Sequence, residues 1–139
     1  MPFPDLSLRD SAHRKYKNRP FWLKLSTGRT EADLLANELP AVGGWQPISF
    51  SILDDGQIKA ADGLLPRHWE MPLQTFSVSA SGQSLQYESA FIMADAATVA
   101  TGGLLLEYLI FDQTQTVLDG QEGTVTLRFM EFDGAPYVT

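Results

Sequence analysis

Cysteine is absent from the 139 residues, which removes disulfides, thiol nucleophiles and thiolate metal sites and leaves stability to packing or to assembly with partners. Histidine occurs only as His13 and His68, so imidazole metal sites are hard to build, and no metal or other cofactor is expected. No apolar run reaches the roughly 18 residues that span a bilayer, and Met1 to Pro20 lacks the apolar stretch of a signal peptide. Neither membrane insertion nor classical secretion is expected. The signatures of common enzymes are missing too. Thr101-Gly102-Gly103 is not followed by the Lys and Ser/Thr of a phosphate loop, and there is no Gly-x-Ser-x-Gly elbow.

What is present suits one compact unit, since 44% apolar and 11% aromatic residues can fill a single core. Charge is distributed unevenly. Residues 1 to 29 hold seven of the ten Lys+Arg and two of the 17 Asp+Glu, a net of +5, and the remainder carries −12. A basic segment beside an acidic body is expected to dock on an acidic surface, such as the body of the next copy. The acidic body itself disfavours nucleic acid, because it repels phosphates over a Debye length of about 10 Å.

Prolines 2, 4 and 20 surround the run His13-Arg14-Lys15-Tyr16-Lys17-Asn18-Arg19. Residues 1 to 20 therefore read as an extended basic arm, ordered only against a partner, and residues 21 to 139 as a β domain. Arg9, Arg14, Lys15, Tyr16, Lys17 and Arg19 are the expected partner-binding residues, with Phe3, Leu6 and Leu8 as further apolar anchors.

Beyond the arm, Phe21, Leu23 and Leu25 alternate with Trp22, Lys24 and Ser26 in a strand pattern, and Gly28 ends it. Thr30 with Asp33 has a loose capping-box spacing, and Leu34, Leu35 and Leu39 share a helical face before Pro40, which predicts a short helix over about 30–39. After Gly43-Gly44, a strand is predicted over Trp45 to Leu53. Pro66 and Pro72 bracket an irregular segment. From Leu73 the pattern is almost continuously β: Phe76, Val78 and Ala80, then Leu85, Tyr87, Phe91 and Met93, then Leu104 to Phe111, then Val125, Leu127 and Phe129. Leu104 to Phe111 is apolar at both parities, as expected of a strand covered on both faces. About six or seven strands with one short helix predict a mainly β, single-domain sandwich or small barrel.

Three groupings are candidates for chemistry. His68-Trp69-Glu70 sets a histidine and a carboxylate two apart, but no nucleophile accompanies them, and a loop-filling Trp is the simpler reading. Asp54-Asp55-Gly56, Asp62-Gly63, Asp119-Gly120 and Asp133-Gly134 lack the spacing of a calcium loop and match β-turn chemistry. Trp22, Trp45 and Trp69 would suit a sugar-stacking surface if exposed, and core burial if not.

Several pieces also resemble a known group. Leu-Ser-Thr-Gly at residues 25 to 28, an acidic stretch, and Gly43-Gly44-Trp45-Gln46-Pro47-Ile48-Ser49-Phe50 are similar to a family of small tailed-phage structural proteins that read Leu-Tyr-Thr, then Gly-Gly-Tyr-Ala-Arg-Gln and a strand. Gln86 to Thr98 followed by Thr101-Gly102-Gly103-Leu104-Leu105-Leu106-Glu107-Tyr108 resembles that family's strand, Asp-Ala-Ala-Thr-Gly-Gly turn and next strand. Order and spacing agree over about residues 21 to 130. The departures are the insertion Val99-Ala100, Trp45-Gln46-Pro47 in place of Tyr-Ala-Arg, and the basic arm. The resemblance implies a non-enzymatic virion component, tail- or fibre-associated or capsid-decorating, that assembles with other virion proteins and as a homo-oligomer. The alternative from another class is a carbohydrate- or receptor-binding β module.

Overall fold

In the computed structural model, the described residues are 5–53, 55–71 and 73–132. Their order is α1 (Asp5–Tyr16), β1 (Phe21–Ser26), α2 (Glu31–Leu34), β2 (Ile48–Phe50), β3 (Gln57–Lys59), β4 (His68–Glu70), β5 (Gln74–Ser79), β6 (Leu85–Ala94), β7 (Leu104–Val117), β8 (Glu122–Leu127) and β9 (Met130–Phe132). The chain is mainly β with several antiparallel sheets, as the alternation predicts, and no barrel closes. No helix among the described residues is long and apolar enough to cross a membrane. Residues group into two compact units, the first of 1–19, 51–74 and 128–139, the second of 20–50 and 75–127.

In the first unit the structure departs from the expected extended arm, because Asp5–Tyr16 is a helix. Leu8, Ala12 and Tyr16 recur every four residues and are buried, which gives the helix an apolar stripe that the surrounding charges obscure in the sequence. His13, Arg14 and Lys15 sit in its last turn, where cations favour the negative end of the helix dipole. The stripe packs on a three-stranded sheet in the order β3-β4-β9. Tyr16 stacks on Trp69 with ring centroids 6.1 Å apart and planes 5° from parallel, and lies 5.0 Å from Phe129. Trp69 is fully buried and donates from Nε1 to the Asp55 carbonyl at 2.9 Å. Gly56 has φ +70° and lies so close that a Cβ there would come within 2.6 Å of the Trp69 ring. That contact explains the glycine independently of the turn.

The second unit holds a four-stranded sheet in the order β2-β1-β6-β7 and the pair β5-β8. Phe21–Ser26 forms a strand as its alternation predicts, and β1, lying between β2 and β6, is covered on both faces. Lys24 and Ser26 are buried as well as the apolar positions. Lys24 survives there by an ion pair with Glu38 at 3.0 Å, and the Ser26 hydroxyl donates to the Leu34 carbonyl at 2.9 Å. The predicted helix 30–39 is shortened to Glu31–Leu34. Its Thr30 hydroxyl donates to the Asp33 carboxylate at 2.9 Å instead of accepting from a backbone N–H, and the chain then returns along β1 through Leu39 N–H to Leu25 carbonyl at 2.8 Å. Phe50–Phe76, at 4.8 Å, packs β2 of the four-stranded sheet against β5, and Phe21–Phe50, at 5.4 Å, packs β1 against β2 within that sheet.

The Asp95–Gly103 turn is built as its residues suggest. Asp95 and Gly102 have φ of 70° and 98°, the latter capping a single 3₁₀ turn, Val99–Thr101. At Gly103 a Cβ would come within 2.5 Å of the Ala96 carbonyl oxygen. Among the other turn signals, Asp62 Oδ1 accepts from the Leu64 and Leu65 N–H groups, and Gly120 has φ 81°. Phe3, Asp54, Asp133 and Gly134 lie outside the described residues, as does the side chain of Leu6.

Candidate functional site

Of the residues expected to bind a partner, Arg9, Arg14, Lys15 and Tyr16 lie on helix α1 and Lys17 and Arg19 just after it, and several of them have contacts within their own unit. Lys15 Nζ pairs with Glu131 at 2.9 Å, and Lys17 forms an ion pair with Asp55. The buried Tyr16 hydroxyl donates to the Met130 carbonyl at 3.2 Å, and Arg19 Nη1 donates to the Lys15 carbonyl at 3.0 Å. Arg14 is exposed, and Arg9 is half-buried with an Nε that has no hydrogen-bond partner. The hydrogen bond and charge of Lys17, aided by His13 and Arg9, hold the Asp55 carboxyl below its ordinary range. Lys15 and Lys17 thus have acidic partners within the same chain.

On the other face of the same sheet, β4 brings His68 and Glu70 together. His68 is buried; its Nε2 lies 3.2 Å from Glu70 Oε1 and its Nδ1 2.9 Å from the Pro66 carbonyl, so oxygen acceptors face both ring nitrogens. Arg128 reaches the same Glu70 oxygen at 3.2 Å. Burial pushes the Glu70 carboxyl up, but the His68 hydrogen bond and the Arg128 charge outweigh it and leave it lowered. The two contacts fix the orientation of the ring. Among the described residues no group of three or more His, Asp or Glu is arranged to hold a metal ion.

The tryptophans do not form a platform. Trp69 and Trp45 are 0% and 3% exposed, and Trp22 is half-buried. An open cleft of about 320 Å³ in the second unit is lined by Gly44, Trp45, Gln46, Pro47, Ile48, Ser77 and Ser79, but the Trp45 Nε1 is itself buried and without a partner.

The feature that sequence reasoning missed is the outer edge of β7. At 14 residues it is the longest strand described, and among the described residues it lies at the end of its sheet, paired with β6. Its pairing runs from Leu85↔Val117 to Ala94↔Leu104, with bulges between Tyr87 and Ser89 and between Ile92 and Met93. Arg29 anchors the wider bulge: its Nη2 donates to the Phe111 carbonyl at 2.8 Å while it pairs with Glu88, which also accepts from the Thr114 hydroxyl. Those two hydrogen bonds and the Arg29 charge hold the Glu88 carboxyl below its ordinary range against the effect of burial.

Leu104 to Phe111, expected to be covered on both faces, is only half-covered. Leu105 and Ile110 pack against Leu34, Phe91 and Met93, whereas Leu104 and Tyr108 are 54% and 44% exposed and Leu106, Leu109 and Phe111 are intermediate. The apolar run at both parities was the legible signal; which edge of the sheet it would occupy was not. An exposed, long apolar edge strand presents backbone N–H and C=O groups to any strand that can pair with it.

No family model, curated protein or solved structure matches this chain.

Proposed function

We propose that this chain is a non-enzymatic assembly module, a structural protein of a tailed-phage virion that works by binding neighbouring virion subunits. The observation that carries the reading is the outer edge of β7, which no strand among the described residues covers, apolar on both faces over Leu104 to Phe111 and half-exposed. Strand addition to such an edge gives affinity through main-chain hydrogen bonds and selectivity through alternate side chains. The phage assignment rests on the likeness of Gly43 to Phe50 and Asp95 to Tyr108 to small phage structural proteins. Tail, fibre and capsid positions are equally compatible with a short body that offers one strand edge.

Native mass measurement tests this on the chain co-produced with the proteins encoded beside it. A stable complex is expected, lost in the double variant Leu104→Lys/Tyr108→Lys, whose melting temperature stays within a few degrees because both side chains are surface-exposed. A chain that remains monomeric with every neighbouring product, or a complex indifferent to the double variant, overturns the proposal.

A further inference from the structure

Alternation along β5 buries Phe76 and Val78 and leaves Thr75, Ser77 and Ser79 exposed; along β8 it buries Val125 and Leu127 and leaves Glu122, Thr124 and Thr126 exposed. Ser79 Oγ donates to Glu122 Oε1 at 3.2 Å, which sets the exposed residues of both strands on one face of the β5-β8 pair. That face is a field of hydroxyls with Glu122 as its one charge. The open cleft of the second unit takes in Ser77 and Ser79 from this face. Their hydroxyls and the exposed Gln46 amide supply its polar lining, Pro47 and Ile48 its apolar lining, and no charged residue lines it. Trp45 lines it as well, and its Nε1 is the one buried polar side-chain atom without a hydrogen-bond partner among the described residues of this unit. At about 320 Å³ the cleft is at the lower end of the sizes that hold small molecules, about 300 to 1,000 Å³.

We infer that this cleft binds a short stretch of an uncharged oligosaccharide. Serine hydroxyls and a side-chain amide each both donate and accept, which matches the hydroxyls of a sugar, and Pro47 and Ile48 offer apolar surface to its C–H groups. Charge excludes the acidic sugars. Residues 75–127 contain no Lys, Arg or His, and Lys24 and Arg29 stand against Glu31, Asp33, Glu38 and the six carboxylates of residues 75–127, a net of −7 for the unit. An anionic glycan would find no cation in the lining and would be repelled over a Debye length of about 10 Å. A cationic ligand would find no carboxylate there. The cleft is built from residues 44–48 and β5 and shares no residue with β7, so the inference goes beyond the docking edge and stands apart from it.

The test applies the full chain to a dense array of neutral oligosaccharides and of oligosaccharides bearing uronic or sialic acid, and titrates those retained by calorimetry. Neutral oligosaccharides are expected to be retained and acidic ones not. Ser77→Ala/Ser79→Ala should weaken binding about tenfold or more, as the loss of two hydrogen bonds implies, with a melting temperature within a few degrees of the native chain because both side chains are exposed. Leu104→Lys/Tyr108→Lys should bind the same oligosaccharide within about twofold, so that sugar binding and docking at β7 fail separately. An array that retains no neutral oligosaccharide, retention of acidic ones as strong as of neutral ones, or unchanged affinity in the Ser77→Ala/Ser79→Ala variant overturns the inference.

Discussion

Close approaches at single positions decide where this chain tolerates change. Gly103 and Gly102 are adjacent but constrained differently: a Cβ on Gly103 meets the Ala96 and Thr98 carbonyl oxygens at 2.5 and 2.7 Å, whereas Gly102 has φ +98° and open space around it. Gly103→Val should therefore cost about 2 to 3 kcal/mol and Gly102→Ala about 1 kcal/mol, the latter from backbone strain alone. Urea unfolding of the two variants checks the order, and a costlier Gly102→Ala would contradict it. Lys24 gives a second case, being 4% exposed and compensated by Glu38. Glu38→Ala should destabilise by about 2 kcal/mol, because it strands a buried cation, while Lys24→Met with Glu38→Ala should recover most of that loss. The acid response follows from Asp55, Asp62, Glu70 and Glu88, all held below their ordinary values by hydrogen bonds and nearby cations. Folded values below unfolded ones mean stability that is present above the unfolded carboxylate range, about pH 4, and lost as pH falls through the folded values. Melts at pH 6, 4 and 3 should show that decline, and Lys17→Ser should make it shallower by removing the largest cause of the Asp55 shift.

Among the elements, strands set in a longer alternating stretch were legible, β2 within Trp45 to Leu53 included, and isolated short ones were not. Phe21 to Ser26, Phe76 to Ala80 and Leu85 to Met93 carry enough alternation to locate β1, β5 and β6, and Asp-Gly and Gly-Gly punctuate them where the backbone turns. The three-residue strands β3, β4 and β9 have no period to read, and exist because Ile58, Trp69 and Glu131 come into register across the sheet. Helix α1 was hidden for another reason. Prolines and six basic side chains dominate residues 1 to 20, while the stripe that matters is only Leu8, Ala12 and Tyr16. The helix stands on that stripe more than on its ion pairs, since exposed pairs contribute about 0 to 1 kcal/mol each. Tyr16→Ala should destabilise the first unit by about 3 kcal/mol through loss of the ring packed on Trp69 and Phe129, whereas replacing Arg14, Lys15, Lys17 and Arg19 together with Ser should cost about 1 to 2 kcal/mol. Trypsin should cut slowly between Arg14 and Arg19 in the isolated native chain and faster in Tyr16→Ala. Rapid cleavage of the native chain would restore the arm as a segment ordered only by a partner.

Across the whole molecule, folding redistributes the charge asymmetry seen along the sequence. The +5 of residues 1 to 29 and −12 of the rest become a first unit of zero net charge and a second unit of −7, because the acids of residues 51–74 and 128–139 join the basic helix. The net negative charge thus falls on the unit that also exposes β7, and the basic residues of the first 19 positions fall in a unit of zero net charge. Periodicity identified Leu104 to Phe111 as apolar at both parities but carried no information about which strands flank it, so an open edge looked the same as a covered strand. Amide hydrogen exchange of residues 104–111 tests the docking edge most directly. In the isolated chain, amides bonded to β6 should be protected while the alternate, outward-facing ones exchange within minutes, and co-assembly with a virion partner should slow the outward set at least a hundredfold. Outward amides already protected in the isolated chain, or unchanged in the assembly, would contradict the account.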